Sequence, residues 1–329
     1  MRLCARVSPL LVSLGTSTFA TILAWPAALL ASMPAAAEPI AVGEQAPAAS
    51  RLSVGEADIR VQLDGARFSA GPDVILAWIR RSAGIVAAYY GRFPTRTLRI
   101  EVEARSGNEV NGGTTYGYDG GFIRVRVGRD VTDDVLLDDW VLVHEMIHLA
   151  LPDVGEEHAW LSEGLATYVE GVARVQAGNR SEADVWAEEL RMMPRGLPQA
   201  GDRGLDHTHS WGRTYWGGAM YCLLADVDIR KRTHNQKGLQ DALRAIARES
   251  GGLVVDWPID RVLRVGDQAV GVPALKDLYE QMKDDPMRPD LMGLWSSLGV
   301  ERDGSTVRLR DDAPLSDVRR AIMRAPAAD

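Results

Sequence analysis

The sequence predicts an α+β fold in which a small, mainly antiparallel sheet near the N-terminus precedes a mostly helical C-terminal half. Two observations support this prediction. Alternation of apolar and polar residues, typical of strands, occurs mainly in segments before Thr132, whereas helical spacing of apolar residues dominates after it. The chain has 329 residues, 46% of them hydrophobic, and is therefore long enough to bury a core.

The first 37 residues have the pattern of a secretory signal peptide. Arg2 and Arg6 precede an apolar run from Leu10 to Leu30, and three alanines ending at Ala37 form a small-residue cleavage pattern. We therefore expect an exported protein, periplasmic or secreted. The alternative is an uncleaved N-terminal membrane anchor, because the apolar run is long for a signal peptide.

The net charge and the cysteine content argue against a nucleic-acid-binding protein and against a disulfide-stabilised fold. The formal net charge is −8, and loss of Arg2 and Arg6 would make it −10. This balance argues against a nucleic-acid partner, because phosphate binding needs a basic surface. Cys222 would be the single cysteine after loss of residues 1–37, so no internal disulfide is expected. The oligomeric state is not indicated by the sequence.

We divide the remaining chain into a flexible leader over 38–50 and one folded domain over 51–329. The domain has a sheet part that ends in an apolar helix, 51–151, and a helical part, 152–329. In order, the patterns predict a strand or hairpin over 51–63, a helix over 72–90, a strand over 97–102 and a hairpin over 111–127 turning at Asp119-Gly120. Helices follow at about 133–151, 157–177, 182–192, 210–231, 237–249, 258–265, 273–283 and 287–298, then a short hairpin over 300–309 and a helix over 315–323.

The strongest chemical signal is His144-Glu145-Met146-Ile147-His148, within the apolar helix predicted over 133–151. Residues four apart project from one face of a helix, so both imidazoles can bind one ion. Glu145 points about 100° away, towards a water held by that ion. We therefore predict a Zn²⁺ site, in which zinc activates the water and Glu145 is the general base.

A catalytic zinc site needs a third protein ligand and an open position. The candidates after His148 are Asp153, Glu156, Glu157, His158 and Glu163, and position 154 is a valine where a metzincin would have histidine. Glu163 is the best choice because it lies on a second predicted helix next to Gly164, which permits close packing. His158 is the alternative. Thr167 is a candidate to hydrogen-bond a histidine ligand or its neighbours. Glu170 could do the same, but we interpret it as a solvated surface carboxylate.

The two histidines, the glutamate between them and the segment Trp160-Leu161-Ser162-Glu163-Gly164 resemble the gluzincin peptidases, most closely the glycyl-aminopeptidase-like and broader peptidase MA-like families. The resemblance implies a thermolysin-like zincin fold, with His144, His148 and Glu163 as zinc ligands and Glu145 as the base. One departure is the connection of 14 residues between His148 and Glu163, which is shorter than in thermolysin.

The resemblance also implies a tyrosine that helps to stabilise the oxyanion, at a position matched by Tyr215 before Gly217-Gly218. A core aromatic is the other interpretation of Tyr215, and His207 or His209 are alternative donors. An edge strand that binds extended peptide is implied at Gly112, Gly113, Thr114 and Thr115. An ordinary hairpin is the other interpretation there. The segment lacks the acidic residue that alanyl aminopeptidases use to hold a free amine, which weakens an aminopeptidase assignment.

The sequence thus predicts an exported, zinc-dependent metallopeptidase that hydrolyses peptide bonds in a peptide or protein substrate. Two alternatives stay open. One is a zinc-binding envelope protein that has lost catalysis. The other is a zinc hydrolase of a non-peptide bond, because the zinc–water chemistry is shared.

Overall fold

A computed structural model describes residues 49–64 and 67–325. The predicted signal peptide over 1–37 and residues 38–48 of the predicted leader lie outside the described residues. Within the described ranges, no helix combines the length and the apolar composition that crossing a bilayer requires.

A five-stranded sheet forms the N-terminal part. Its strands are β1 (Ala49–Val54), β2 (Ala57–Asp64), β3 (Thr97–Arg105), β4 (Val110–Tyr116) and β5 (Phe122–Gly128), in the order β1-β2-β3-β5-β4. The β1–β2 and β4–β5 pairs are antiparallel, while β2–β3 and β3–β5 are parallel. The α+β class is therefore confirmed, but the sheet is mixed and not mainly antiparallel as expected.

The connections explain the mixed pairing. The helix α1 (Pro72–Tyr90) begins at a first-turn proline, as predicted, and joins β2 to β3 as the crossover that parallel strands require. The predicted turn at Asp119-Gly120 is also confirmed. Both residues have positive φ, 53° and 87°, which matches the tight turn of a hairpin. This hairpin places β4 at the edge of the sheet.

Helices dominate the chain after β5. They are α2 (Asp133–Asp138), α3 (Val141–His148), α4 (Ala159–Gln176), α5 (Glu182–Met192), α6 (Gly218–Arg232), α7 (Leu239–Ser250), α8 (Ile259–Val270), α9 (Ala274–Met282), α10 (Leu291–Leu298) and α11 (Ser316–Met323). The predicted C-terminal hairpin is present as β6 (Val300–Asp303) and β7 (Thr306–Leu309). Cys222 is buried on α6, in agreement with an inert thiol.

The helix predicted over 133–151 is interrupted between α2 and α3. Asp139 has an extended backbone, and its carboxylate accepts hydrogen bonds from the backbone N–H groups of Val141 and Leu142 at 3.1 Å each. A side chain that binds free N–H groups in this way stabilises the start of a helix. The indole Nε1 of Trp78 on α1 donates to the same carboxylate at 3.1 Å. Asp139 therefore fixes the beginning of α3 against α1.

The helices α4 and α6 cross at two glycines. A Cβ atom on Gly164 would lie 2.2 Å from the Cα atom of Gly218, so only glycine permits this backbone approach. The crossing confirms the expected role of Gly164 in close helix packing. It also fixes α4, which carries Glu163, relative to the segment that carries Tyr215.

Candidate metal centre

The helix α3 buries all eight of its residues, including both histidines and Glu145. A histidine pair four residues apart lies on one face of the helix, and the two rings lie with centroids 4.9 Å apart. The rest of α3 is apolar and packs in the core. Burial of ionisable side chains in such a helix is costly unless they bind partners or a metal ion.

Glu163 on α4 meets both histidines. Its Oε2 atom lies 3.3 Å from Nε2 of His144 and 3.4 Å from Nε2 of His148. One potential ligand atom from each of the three residues lies within 4.8 Å of the other two, and all three residues are buried. The structure therefore brings the three predicted ligands together in an arrangement that can hold a metal ion.

The alternative ligand His158 lies elsewhere. Its Nδ1 atom is 3.1 Å from the carboxylate of Asp206, and its Nε2 atom is 3.2 Å from that of Glu157. The indole of Trp160 donates to the same Asp206 oxygen at 2.7 Å. His158 thus belongs to a separate polar cluster near the start of α4.

Ser162 orients one of the imidazoles. Its hydroxyl oxygen lies 3.0 Å from Nδ1 of His148, which leaves Nε2 directed at Glu163. Sequence reasoning missed this contact, although its signal was present: Ser162 is the residue immediately before Glu163. Nδ1 of His144 has no hydrogen-bond partner in the described part of the chain.

Glu145 lies beside the three-residue group and is held by the edge strand. The Thr115 hydroxyl lies 2.6 Å from Oε2 of Glu145, within hydrogen-bond distance, and Gly113 faces the same side chain. A Cβ atom on Gly113 would lie 2.5 Å from Cγ of Glu145, so this strand approaches α3 closely only because position 113 is glycine. Two residues of the predicted substrate strand therefore contact the predicted base.

Tyr215 packs next to the metal-ligand group. Its ring is stacked on that of His144, with centroids 6.3 Å apart and an angle of 18°. It lies in a π-helical segment, Gly212–Gly217, that precedes α6. Such wide turns are frequent at functional sites. Of the alternative donors, His207 binds Asp284 at 2.8 Å and is exposed, and His209 is exposed too.

Thr167 and Glu170 follow Glu163 on α4. The Thr167 hydroxyl donates to the backbone carbonyl of Glu163 at 2.7 Å, so it contacts a neighbour of the histidine ligands and not a histidine itself. Glu170 was expected to be solvated, but it is buried and binds Arg174 at 2.9 Å. Arg174 lies four residues further along the same face of α4, and its positive charge makes the burial of Glu170 possible.

The pKa values show where charge is stabilised. Burial alone raises the pKa of Glu163, but the adjacent imidazoles of His148 and His144 outweigh burial and hold this pKa well below its usual value. Burial lowers the pKa of His144, yet the hydrogen bond and charge of Glu163 raise it above its usual value. Burial raises the pKa of Glu145, partly offset by the two histidines and Thr115. Glu163 is therefore held ionised between the two imidazoles.

The fold is similar to those of two solved structures. An aminopeptidase N family protein from Idiomarina loihiensis is 16% identical, with a TM-score of 0.58 over 77% of this chain. An M1 zinc metallopeptidase from Deinococcus radiodurans is 15% identical, with a TM-score of 0.50 over 74%. The fold is that of an M1 peptidase domain.

This likeness concerns the fold. The chain covers 49% of the first of these structures and 52% of the second, so it spans about half of their length. No protein-family model matches the sequence, and no curated protein matches it.

Proposed function

We propose that this protein is a zinc-dependent metallopeptidase that hydrolyses peptide bonds. The observation that carries the proposal is the convergence of His144, His148 and Glu163, with the Glu145 carboxylate beside them and outside the ligand group. The M1 peptidase fold supports the same conclusion.

The residues present fit a zinc ion. Two imidazole nitrogens and one carboxylate form a three-ligand set typical of catalytic zinc, which leaves a position for water or substrate. Nε2 of both imidazoles faces the same Glu163 oxygen, so all three donors point to one place. Zinc in such a set supplies an acidified water and polarises a carbonyl.

The protein's own residues would then have separate roles. Glu145 takes a proton from the attacking water and passes it to the leaving amine. Thr115 positions the Glu145 carboxylate through its hydroxyl. We assign the oxyanion donor to Tyr215, because its ring lies against His144 while His207 is engaged by Asp284.

The edge strand β4 is the proposed site for an extended peptide. Among the described strands, β5 alone pairs with β4, so the other edge of β4 has no strand partner there. An extended peptide can add to such an edge through backbone hydrogen bonds. Gly112, Gly113 and Thr114 would contribute backbone groups there, whereas the Thr115 side chain is engaged with Glu145.

We further propose that the protein is exported, with residues 1–37 acting as a signal peptide, and that residues 51–329 form the catalytic domain. The sequence pattern described above supports this proposal. N-terminal sequencing of the protein recovered from the producing cells tests it. A mature N-terminus at Glu38 is expected, and retention of Met1 with membrane association would favour the anchor instead.

The central test compares Glu145→Gln with Glu156→Gln, which changes an exposed glutamate outside the site. Peptide-library digestion and metal analysis are measured on both proteins. Glu145→Gln is expected to keep about one zinc per chain and to lose at least about 100-fold in kcat/KM, since general-base catalysis contributes that much. Glu156→Gln is expected to match the wild type.

Other outcomes separate the alternatives. Zinc binding with no hydrolysis of peptides, esters or lactams by the wild type would indicate a binding protein. Hydrolysis of esters or lactams alone would indicate a hydrolase of another bond. Full peptidase activity in Glu145→Gln would refute the assigned base. The positions of cleavage in the library also distinguish an aminopeptidase from an endopeptidase.

A further inference from the structure

A cavity of about 340 Å³ opens beside the metal centre. On the side of the metal centre, His144 and Tyr215 line the cavity. Elsewhere its wall includes Glu188 and Glu189 of α5. The cavity therefore connects the proposed reaction site to acidic residues on a helix that carries no metal ligand. Neither the metal nor the base requires these residues.

Aromatic rings form one side of this cavity. Trp140 and Trp211 both line it, and they are 39% and 38% exposed, unusually high for tryptophan. The Trp140 ring meets His144 edge-on at 5.6 Å, and the Trp211 ring stacks on Tyr215 at 6.0 Å. Indole faces attract cations as well as apolar groups.

The other side of the cavity is acidic. Asp138, Glu170, Glu188 and Glu189 line it together with Arg174 and Arg180. Both arginines are engaged by carboxylates. Arg174 binds Glu170 at 2.9 Å and lies 3.5 Å from Asp138, and Arg180 binds Glu188 at 2.7 Å. These pairs leave the cavity with more acidic than basic side chains, and they leave Glu189 without an arginine partner.

Among the acidic residues of the cavity, Glu189 combines deep burial with an oxygen that has no hydrogen-bond partner among the described residues. Glu189 is 4% exposed, and this oxygen is its Oε2 atom. A buried carboxyl oxygen without a hydrogen-bond partner is costly, so its presence in a cavity requires an explanation. Burial raises the pKa of Glu189 well above its usual value, and the nearby carboxylates of Glu188 and Glu170 raise it further. A cation entering the cavity would reverse this effect by stabilising the ionised carboxylate.

We propose that this cavity receives a basic side chain, lysine or arginine, from the substrate residue next to the cleaved bond, with Glu189 as its counter-ion and the determinant of that specificity. The inference rests on the proposed peptidase function. The aromatic side would hold the methylene chain and the cationic head, and Glu189 would form the charge-assisted hydrogen bond.

The excess of acidic side chains in the cavity argues against specificity for an acidic substrate side chain. A substrate carboxylate would need a free guanidinium, but Arg174 and Arg180 are each bound to an acid already. It would also lie near the unpaired Glu189. A neutral apolar side chain would fill the aromatic side and leave the Glu189 carboxyl without a partner.

The first experiment is a peptide-library digest with wild type, Glu189→Gln and the control Glu249→Gln. Glu249 is an exposed glutamate paired with Arg261 and lies outside the cavity. The wild type is expected to cleave next to lysine or arginine at least about tenfold faster, in kcat/KM, than next to methionine. Glu189→Gln is expected to bring this ratio near one with methionine cleavage kept, and Glu249→Gln to retain it. Cleavage without a basic preference, or a preference that survives Glu189→Gln, overturns the inference and leaves the peptidase function intact.

A second experiment does not depend on catalysis. Binding of n-butylguanidinium and of neutral pentanamide is measured by calorimetry and by the change in total tryptophan fluorescence, to which Trp140 and Trp211 in the cavity contribute. The cation is expected to bind the wild type at least about tenfold more tightly than pentanamide and to lose that advantage in Glu189→Gln. Equal binding of the two probes, or absence of binding at millimolar concentration, refutes the cation site even if no peptide is cleaved. Glu189→Gln removes an unpaired buried carboxyl without changing its size, so its melting temperature should not fall below that of the wild type.

Discussion

The hydroxyl of Thr115 lies 2.6 Å from Oε2 of Glu145, so the edge strand holds the carboxylate that we propose as the base. Thr115 is also almost fully buried, which protects this hydrogen bond from water. The side chain therefore acts on the reaction through Glu145 and not through the substrate.

Thr115→Val is expected to lower kcat/KM by about tenfold, because the variant lacks one hydrogen bond to a charged group while its shape is unchanged. The matched control is Thr233→Val. The Thr233 hydroxyl donates to the carbonyl of Ile229 at the end of α6, outside the site, so that variant should retain activity. Steady-state kinetics on a peptide substrate measures both. Wild-type kcat/KM in Thr115→Val would show that this hydroxyl does not position Glu145.

Gly113→Ala tests the close approach of β4 to α3. The added Cβ would lie 2.5 Å from Cγ of Glu145 and 2.9 Å from Cδ, so the carboxylate must move. We expect a loss of at least about tenfold in kcat, because a small displacement of a catalytic group is costly. Zinc content should be unchanged, since Glu145 is not in the ligand group.

Gly84→Ala serves as the control for this substitution. A Cβ at Gly84, inside α1, meets no heavy atom within 4 Å. This variant should keep full activity and gain up to about 1 kcal/mol of stability from the higher helix propensity of alanine. Wild-type kinetics in Gly113→Ala would contradict the proposed steric relationship.

The sequence predicted that His144, His148 and Glu163 come together, because the information for this is local. It consists of a histidine pair at helical spacing and a glutamate next to a small residue on the following helix. The order of the strands in the sheet, in contrast, depends on parts of the chain that are distant in sequence. The parallel pairing of β3 with β5 depends on where α1 and the β4–β5 hairpin place their strands, and alternation within a strand does not encode its neighbours.

Other differences arose from tertiary contacts. Asp139 separates α2 from α3, and its carboxylate accepts hydrogen bonds from the first turn of α3. The indole of Trp78, distant in sequence, donates to the same carboxylate. The π-helical segment that carries Tyr215 was predicted as part of an ordinary helix, since apolar spacing does not distinguish the two. Glu170 was misinterpreted as solvated because only the folded chain shows that Arg174 is buried with it.

Ser162→Ala is expected to weaken zinc binding by about 10- to 100-fold, the usual cost of removing a hydrogen bond that orients a histidine ligand. The substitution removes the hydroxyl that lies 3.0 Å from Nδ1 of His148. The control is Ser297→Ala, because the Ser297 hydroxyl donates to the carbonyl of Gly293 in α10, outside the site. Competition titration with a zinc chelator measures the affinity of both variants.

Thermal unfolding provides an independent measurement of the same site. Zinc that binds only the folded chain raises the melting temperature, so chelation should lower it in the wild type. The shift should be smaller in Ser162→Ala at limiting zinc, and unchanged in Ser297→Ala. A chelator that leaves the wild-type melting temperature and activity unchanged would refute a bound metal in the functional protein.

Asp139 should make stability depend on pH in the mildly acidic range. Burial raises the pKa of its carboxyl from 3.8 to about 6, although the hydrogen bonds from Leu142, Val141 and Trp78 lower it in part. A group whose pKa is higher in the folded state stabilises that state while it is protonated. Its contribution is therefore full below about pH 4 and is lost as the pH rises through about 6. The difference of about 2 pKa units corresponds to about 3 kcal/mol.

Asp139→Asn isolates this contribution, because asparagine does not titrate. We expect the free energy of unfolding of the wild type, relative to that of Asp139→Asn, to decrease by up to about 3 kcal/mol between pH 4 and 7 and to be constant above that range. Urea unfolding at a series of pH values measures it, and the comparison cancels the titration of all other carboxyl groups. A relative stability that increases with pH would mean that the ionised carboxylate is favoured at the start of α3, because its hydrogen bonds to Val141 and Leu142 outweigh the cost of burial.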